Sequence, residues 1–213
     1  MTGIPDLDVL ESRRFVGVAI ANTILTEWLP AQPIDTIVWL DFDGTRAMNL
    51  SVAEELGPLL MKATATRPNL ERRYPIYRGL EGDVGYTLHR AFQSLSWSAP
   101  ALFPGEEDLD PALGSYVLAR TDEGIVVALG ALTPSQAAIL RYIDERFQRD
   151  GSTTSSSDLA GLGVLGEVKL AARSKRLSEL RARGFLALDP ELEGRGERHL
   201  LPVWRLGNLR EQP

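Results

Sequence analysis

The chain has no cysteine. That excludes disulfides, thiol nucleophiles and cysteine-ligated zinc together, and it suits a reducing, cytoplasmic setting. Histidine is nearly as scarce. His89 and His199 are the only two, so no histidine-based metal site is expected. Long apolar runs are missing as well. The longest, residues 124–132, is about half of the ~18 residues that a membrane helix needs. The first residues carry no basic-then-apolar signal pattern, so export is not expected and the cytoplasm is the expected location. What remains is an ordinary globular composition of 213 residues, 44% apolar and 24% charged, with room for one large domain or two small ones.

A net charge of −6 argues against nucleic acid until the chain is divided. Residues 1–130 hold 10 Lys+Arg against 18 Asp+Glu, a net of −8; residues 131–213 hold 13 against 11, a net of +2. Six basic residues, Lys169, Arg173, Lys175, Arg176, Arg181 and Arg183, fall between Val164 and Arg183. An acidic part joined to one with a local basic stripe is the asymmetry of a sensor or interaction domain fused to a nucleic-acid reader, although a solvated helix face has the same look.

The first 130 residues alternate strand and helix signals. Arg13 to Val18 reads as a short strand. Ala19 to Leu29 reads as a helix closed by Pro30. Thr36 to Phe42 is a near-continuous apolar run of strand length, as in a strand buried on both faces. Asn49 to Ala65 has apolar residues at helical spacing, with Asn49 or Ser51 as cap. Tyr74 to Tyr77 reads as a strand that Pro75 demotes to an edge. Gly82 to Leu95 reads as a helix. Ser98 to Gly114 contains three prolines and an acidic PGEEDLD stretch, and reads as a loop. Tyr116 to Arg120 and Ile125 to Leu129, around a turn at Thr121 to Gly124, read as a hairpin, and the sequence leaves open which domain owns it. The alternation predicts an α/β domain over 1–130 with a small, mostly parallel sheet.

Two family resemblances fall in this part. Trp39-Leu-Asp-Phe-Asp-Gly-Thr45 resembles the first motif of haloacid dehalogenase-like phosphatases. That resemblance implies Asp41 as nucleophile, Asp43 as general acid/base, and Mg²⁺ between carboxylates and phosphate. The only lysine before the C-terminal part, Lys62, lies in the helix directly after the motif, and Glu106-Glu107-Asp108 lies in the Pro-rich stretch. Without the family, the same residues read as a strand end followed by an Asp-Gly turn. Residues 13–95 also resemble STAS-like domains, whose central strand ends as Leu40-Asp-Phe-Asp-Gly-Thr45 does. There Ser51 stands at the position of a regulatory phosphoserine, within Asn49-Leu-Ser-Val52, where the family's Asp and Gly are missing; from the residues alone it reads as a helix cap.

In the C-terminal part, Gly161, Gly163 and Gly166 satisfy G-x-G-x-x-G, with Asp189 at the fingerprint distance. The residues before them, Ser152 to Ser157, are no strand, so no dinucleotide site and no cofactor are expected. The whole stretch 133–206 instead resembles a winged helix-turn-helix, similar to MarR- and ArsR-like regulators. Thr133 caps a first helix that starts at Pro134, with Ala137, Ile139, Leu140, Ile143 and Phe147 turned inward. Ser157 caps a short second helix. A third helix over 167–183 turns Leu170, Ala171, Ser174, Leu177, Leu180 and Arg181 to one side and Lys169, Arg173, Arg176 and Arg183 to another. Gly184 ends it, and Phe185-Leu186 opens a wing whose turn, 193–198, carries Arg195 and Arg198.

That resemblance implies a winged helix (α+β) over 131–213 binding double-stranded DNA. Lys169 and Arg173 are expected at base edges, and Arg176, Arg195 and Arg198 at phosphates. The overall expectation is a cytoplasmic transcription regulator, acting as a homodimer because paired half-sites multiply affinity. Its N-terminal domain is expected to bind a signal or a protein partner. The competing expectations are a Mg²⁺-dependent phosphatase using Asp41 and Asp43, and a protein-binding adaptor.

Overall fold

The computed structural model describes residues 14–105, 109, 117–165, 168–189 and 197–202. The chain divides into two compact units, residues 1–131 and 132–213.

The first unit is an α/β fold around a five-stranded sheet. Its strands are β1 (Thr36–Asp41), β2 (Arg73–Arg78), β3 (Ser98–Phe103), β4 (Val117–Thr121) and β5 (Gly124–Gly130), in the order β1-β2-β3-β5-β4. β1 pairs with β2 and β2 with β3 in parallel; β5 is antiparallel to both β3 and β4. The sheet is therefore mixed and not mostly parallel. The β4–β5 hairpin belongs to this sheet, because β5 registers with β3 from Ser98↔Gly130 to Phe103↔Ile125.

Three local expectations are corrected. β3 replaces the loop expected from residue 98. All six of its residues are buried, and cross-strand pairing overrides the turn signal of Pro100. β1, not β2, lies at an edge of the sheet, and β4 forms the other edge. Val38 and Leu40 are buried while Thr36, Ile37 and Trp39 are half-buried. β2 tolerates Pro75 internally because β3 registers with it only at Tyr77↔Ala101, beyond the proline. Within the strand expected at 13–18, the described residues 14–18 are helical: α1 (Arg14–Thr23) runs through a π-helical turn, Ile24–Trp28, into α2 (Leu29–Ala31). Its alternating Val16 and Val18 look like a strand, but Ala21, Ile24, Leu25 and Leu29 recur at helical spacing and pack into the core. Gly17 allows the close approach, since a Cβ there would stand 3.1 Å from Glu55 Cβ.

The next helical run is α3 (Leu50–Glu54), a π-helical segment Glu55–Leu59, and α4 (Leu60–Thr66). Asn49 is its cap, with Oδ1 accepting from the Val52 N–H at 2.9 Å. The run bends at Gly57 (φ −98°, ψ −106°), directly before Pro58. Such a kink frees carbonyls inside the core. The Tyr77 hydroxyl reaches them, donating to Leu56 O at 2.8 Å, with Gly57 O at 3.4 Å. Its ring stacks on Phe42 and meets Phe92 edge-on, at centroid distances of 6.0 and 5.7 Å. Complete burial pushes this phenol well above its ordinary pKa, so it stays a donor. α5 (Asp83–Ser94) completes the helical side of the core through Val84, Leu88, Ala91 and Phe92. The opposite face of the sheet, with Tyr74, Ile76, Leu102, Val126 and Ala128, is buried too.

The second unit starts with α6 (Pro134–Asp150), closed in by reciprocal caps. Thr133 Oγ1 accepts from Gln136 N at 3.2 Å, and Gln136 Oε1 accepts from Thr133 N at 3.0 Å. Gly151, left-handed at φ 69°, ends it. Ile139, Leu140 and Ile143 are buried, Ala137 and Phe147 half-buried. The second helix is two 3₁₀ turns, Asp158–Gly161 and Gly163–Leu165. Its glycines and short length do not support α-helical nucleation. α7 (Leu170–Ala182) follows, and then β6 (Ala187–Leu188) pairs antiparallel with β7 (His199–Leu200). His199 also bridges Thr154 in both directions, at 2.8 and 2.9 Å.

Replacing Tyr77 with phenylalanine keeps the ring contacts and strands the kink's carbonyls. A loss of about 1–3 kcal/mol is expected, read as a lower urea midpoint for the first unit. An unchanged midpoint would mean the hydroxyl does not secure the bend.

Candidate functional site

Asp41 ends β1 opposite Arg78, which ends β2. One carboxylate oxygen of Asp41 accepts from the Asp43 N–H at 3.1 Å. The other accepts from Arg78 Nε at 2.8 Å and Nη2 at 2.6 Å. The Arg78 guanidinium also lies 5.0 Å above the Trp39 ring. Gly79, at φ +66°, permits this closure, because a Cβ would run into the Asp43 backbone. The result ties two parallel strand ends together. Oδ2 carries both arginine contacts and Oδ1 a single backbone N–H, so Oδ1 keeps a lone pair. Asp43 is exposed. Lys62 donates to Leu95 O at 3.2 Å and lies 5.4 Å from the Trp97 ring, in a structural place of its own. Among the described residues no group of three or more His, Asp or Glu could hold a metal. Glu106, Glu107 and Asp108 lie outside the described residues. Ser51 sits exposed within α3, one position past its first residue, while Asn49 does the capping.

The basic helix α7 begins at Leu170, with Lys169 exposed at its N-cap. Only Leu177 and Leu180 are buried. Leu170 is 55% exposed, and Ala171, Ala172, Ser174, Lys175 and Ser178 are exposed too. The expected division of faces therefore changes. Leu170, Ala171 and Ser174 face outward, while Arg173 and Arg176, both half-buried, lie by helical spacing alongside Leu177 and Leu180. An arginine can do this because its stem packs as an apolar chain. Arg173 donates from Nε to Val168 O at 2.9 Å and from Nη1 to Ser156 O at 3.4 Å. It thereby fastens the approach to the helix. Arg198 donates to Thr153 O at 3.0 Å and lies 3.8 Å from Asp158. Arg195 lies outside the described residues. Arg183 is half-buried near the C-terminus of α7, and burial lowers its pKa against the pull of Glu179.

Asp158 is the junction that sequence reading missed. It accepts from the Ser155 N–H and hydroxyl, both at 2.8 Å, and pairs with Arg146 of α6 at 3.2 Å. Burial alone would raise its carboxyl, but these hydrogen bonds and the Arg146 charge outweigh burial and hold it below the usual range. The signal was present: Ser155-x-x-Asp158 has capping-box spacing, whereas Ser157, the expected cap, makes no capping bond. His199 was noticed only as a scarce residue. It is 1% exposed, packed between strand partners, with Arg181 and Glu197 nearby. Burial, then the Arg181 charge, lower its pKa to about 4 despite Glu197.

A comparison with family models, curated proteins and solved structures finds no match for this chain.

His199 makes the second unit acid-sensitive. The unfolded chain takes up a proton near pH 6.5, the folded one only near pH 4. The unfolded state thus binds more protons between these values, and stability falls as pH drops through that window. The loss attributable to His199 reaches at most about 3 kcal/mol. Denaturation of wild type and His199→Gln between pH 7 and 4 should show the wild type losing stability more steeply. Parallel curves would remove His199 as the cause.

Proposed function

We propose that this chain is a cytoplasmic DNA-binding transcription regulator, with residues 132–213 acting as a winged helix-turn-helix on duplex DNA. The observation that carries the reading is the exposed N-terminal half of α7, from Lys169 to Lys175, set on a helix–turn–helix–hairpin order. Ala171, Ala172 and Ser174 are small, so the helix backbone can come close to a groove floor, and alanine suits contact with a thymine methyl. Lys169 and Lys175 bring positive charge to that surface; Lys175 is 78% exposed and only 3.9 Å-paired with Glu179. Lys169 is the base-edge residue. Arg173 acts here by holding the helix entry, and Arg198 by holding the wing strand to Thr153. Arg195 keeps its proposed phosphate role in the wing.

The N-terminal α/β unit, acidic and STAS-like in its sequence pattern, receives a protein partner or small signal, and the working form is a homodimer on paired half-sites. No helix among the described residues is long and apolar enough to cross a membrane.

A random-duplex selection with the purified chain at fixed salt should enrich a specific site. Affinity for that site should fall at least about tenfold between 50 and 200 mM salt, and Lys169→Ala should lower the slope of log affinity against log salt by about one. Enrichment of nothing, or salt-independent retention, would sink the proposal.

A further inference from the structure

The arginines of α7 divide by what they hold. Arg173 donates to Val168 O and Ser156 O. Arg181 pairs with Glu197 at 3.2 Å. Arg183 is also engaged. Arg176 differs. Its Nη1 atom is buried, and among the described residues that atom has no hydrogen-bond partner. No ion pair to Arg176 is formed among those residues either. A buried N–H without an acceptor is costly, and here it is one corner of the guanidinium of a half-buried residue.

We propose that Arg176 is a reserve phosphate clamp: its guanidinium swings out from beside Leu177 and Leu180 to bind a phosphodiester of duplex DNA. The inference rests on the DNA-binding reading above. Three features favour Arg176 over the other α7 arginines. Among the described residues, swinging out breaks no hydrogen bond, whereas Arg173 and Arg181 would each give up the contacts just described. The move relieves a buried unsatisfied donor, so leaving the packed position costs little. And the position lies one residue from Lys175, on the flank of the exposed surface, where a backbone phosphate would pass if α7 entered a groove. The planar fork can take two phosphate oxygens at once, which an ammonium cannot.

The test uses the full chain and two variants. Methionine replaces the stem without the charge, so R176M should slow amide exchange over residues 170–182 while weakening duplex binding about tenfold and lowering the salt slope by about one. R176K should restore the slope, because a point charge remains, and leave affinity below wild type. Faster or unchanged exchange in R176M overturns the inference, as does unchanged affinity in R176M when the wild type binds. Failure of R176K to restore the slope overturns it as well. A wild-type chain that binds no duplex brings down the DNA reading and this inference with it, whereas the exchange result concerns the buried donor alone. Inorganic phosphate that protects residues 170–182 in the wild type but not in R176M, as fully as duplex does, would assign the clamp to a small anion and overturn the duplex proposal.

Discussion

The first unit depends on one hydroxyl. Pro58 and the open backbone of Gly57 bend the helix that covers the sheet, and the bend would leave carbonyls facing an apolar core. Tyr77 comes from the middle of the parallel strands, fits between Phe42 and Phe92, and supplies the missing donor. Strand, kink and aromatic cluster are thereby fixed to one another. The helix can curve over the sheet only because the strand below carries a tyrosine at the right place.

Several of the described lysines and arginines serve backbone carbonyls and not a ligand surface. Arg73 alone reaches Gln32 O, Asn69 O and Pro30 O, at 2.8, 2.9 and 3.1 Å. Arg67 reaches Leu25 O and Lys62 reaches Leu95 O. Arg173 and Arg198 do the same in the second unit. Each joins segments distant in sequence or holds a turn that lacks regular hydrogen bonding. A count of lysines and arginines therefore overstates the charge free to meet a ligand, and the identity of the carbonyl each one serves matters more than its sign.

The legible parts of the fold were those written in local chemistry. Thr133-Pro-Ser-Gln136 announces a helix start, and the structure has both halves of the capping box. The β4–β5 hairpin shows in its two short apolar runs around the turn at Thr121 to Gly124. What escaped was set by distant partners. Ser98–Phe103 contains a proline and reads as loop until β5 lies beside it. Thr36–Asp41 is apolar enough for an interior strand, yet nothing within it says that β2 will flank only one side. At the candidate site, helical spacing separated the residues of α7 into faces but could not say which face meets the core. Leucines 177 and 180 were correctly inward, while Leu170 projects because the packing ends before the first turn. The acceptors of Arg173 lie outside the helix, at Val168 and Ser156, and no periodicity within the helix points to them.

The bridge between Thr154 and His199 also imposes an order in time. Arg198 and Thr153 meet across 45 positions of chain, so this join pays a large loop-closure entropy compared with the capped, local α6. During synthesis, α6 can form as soon as it emerges, whereas the small sheet must wait until residue 199 is available. Until then the strand segment at Thr154 has neither of its bridge bonds, and the turns that precede α7 lack the anchor that Arg198 gives them. The second unit is thus closed by its last described strand, like a clasp fastened after the band is already in place.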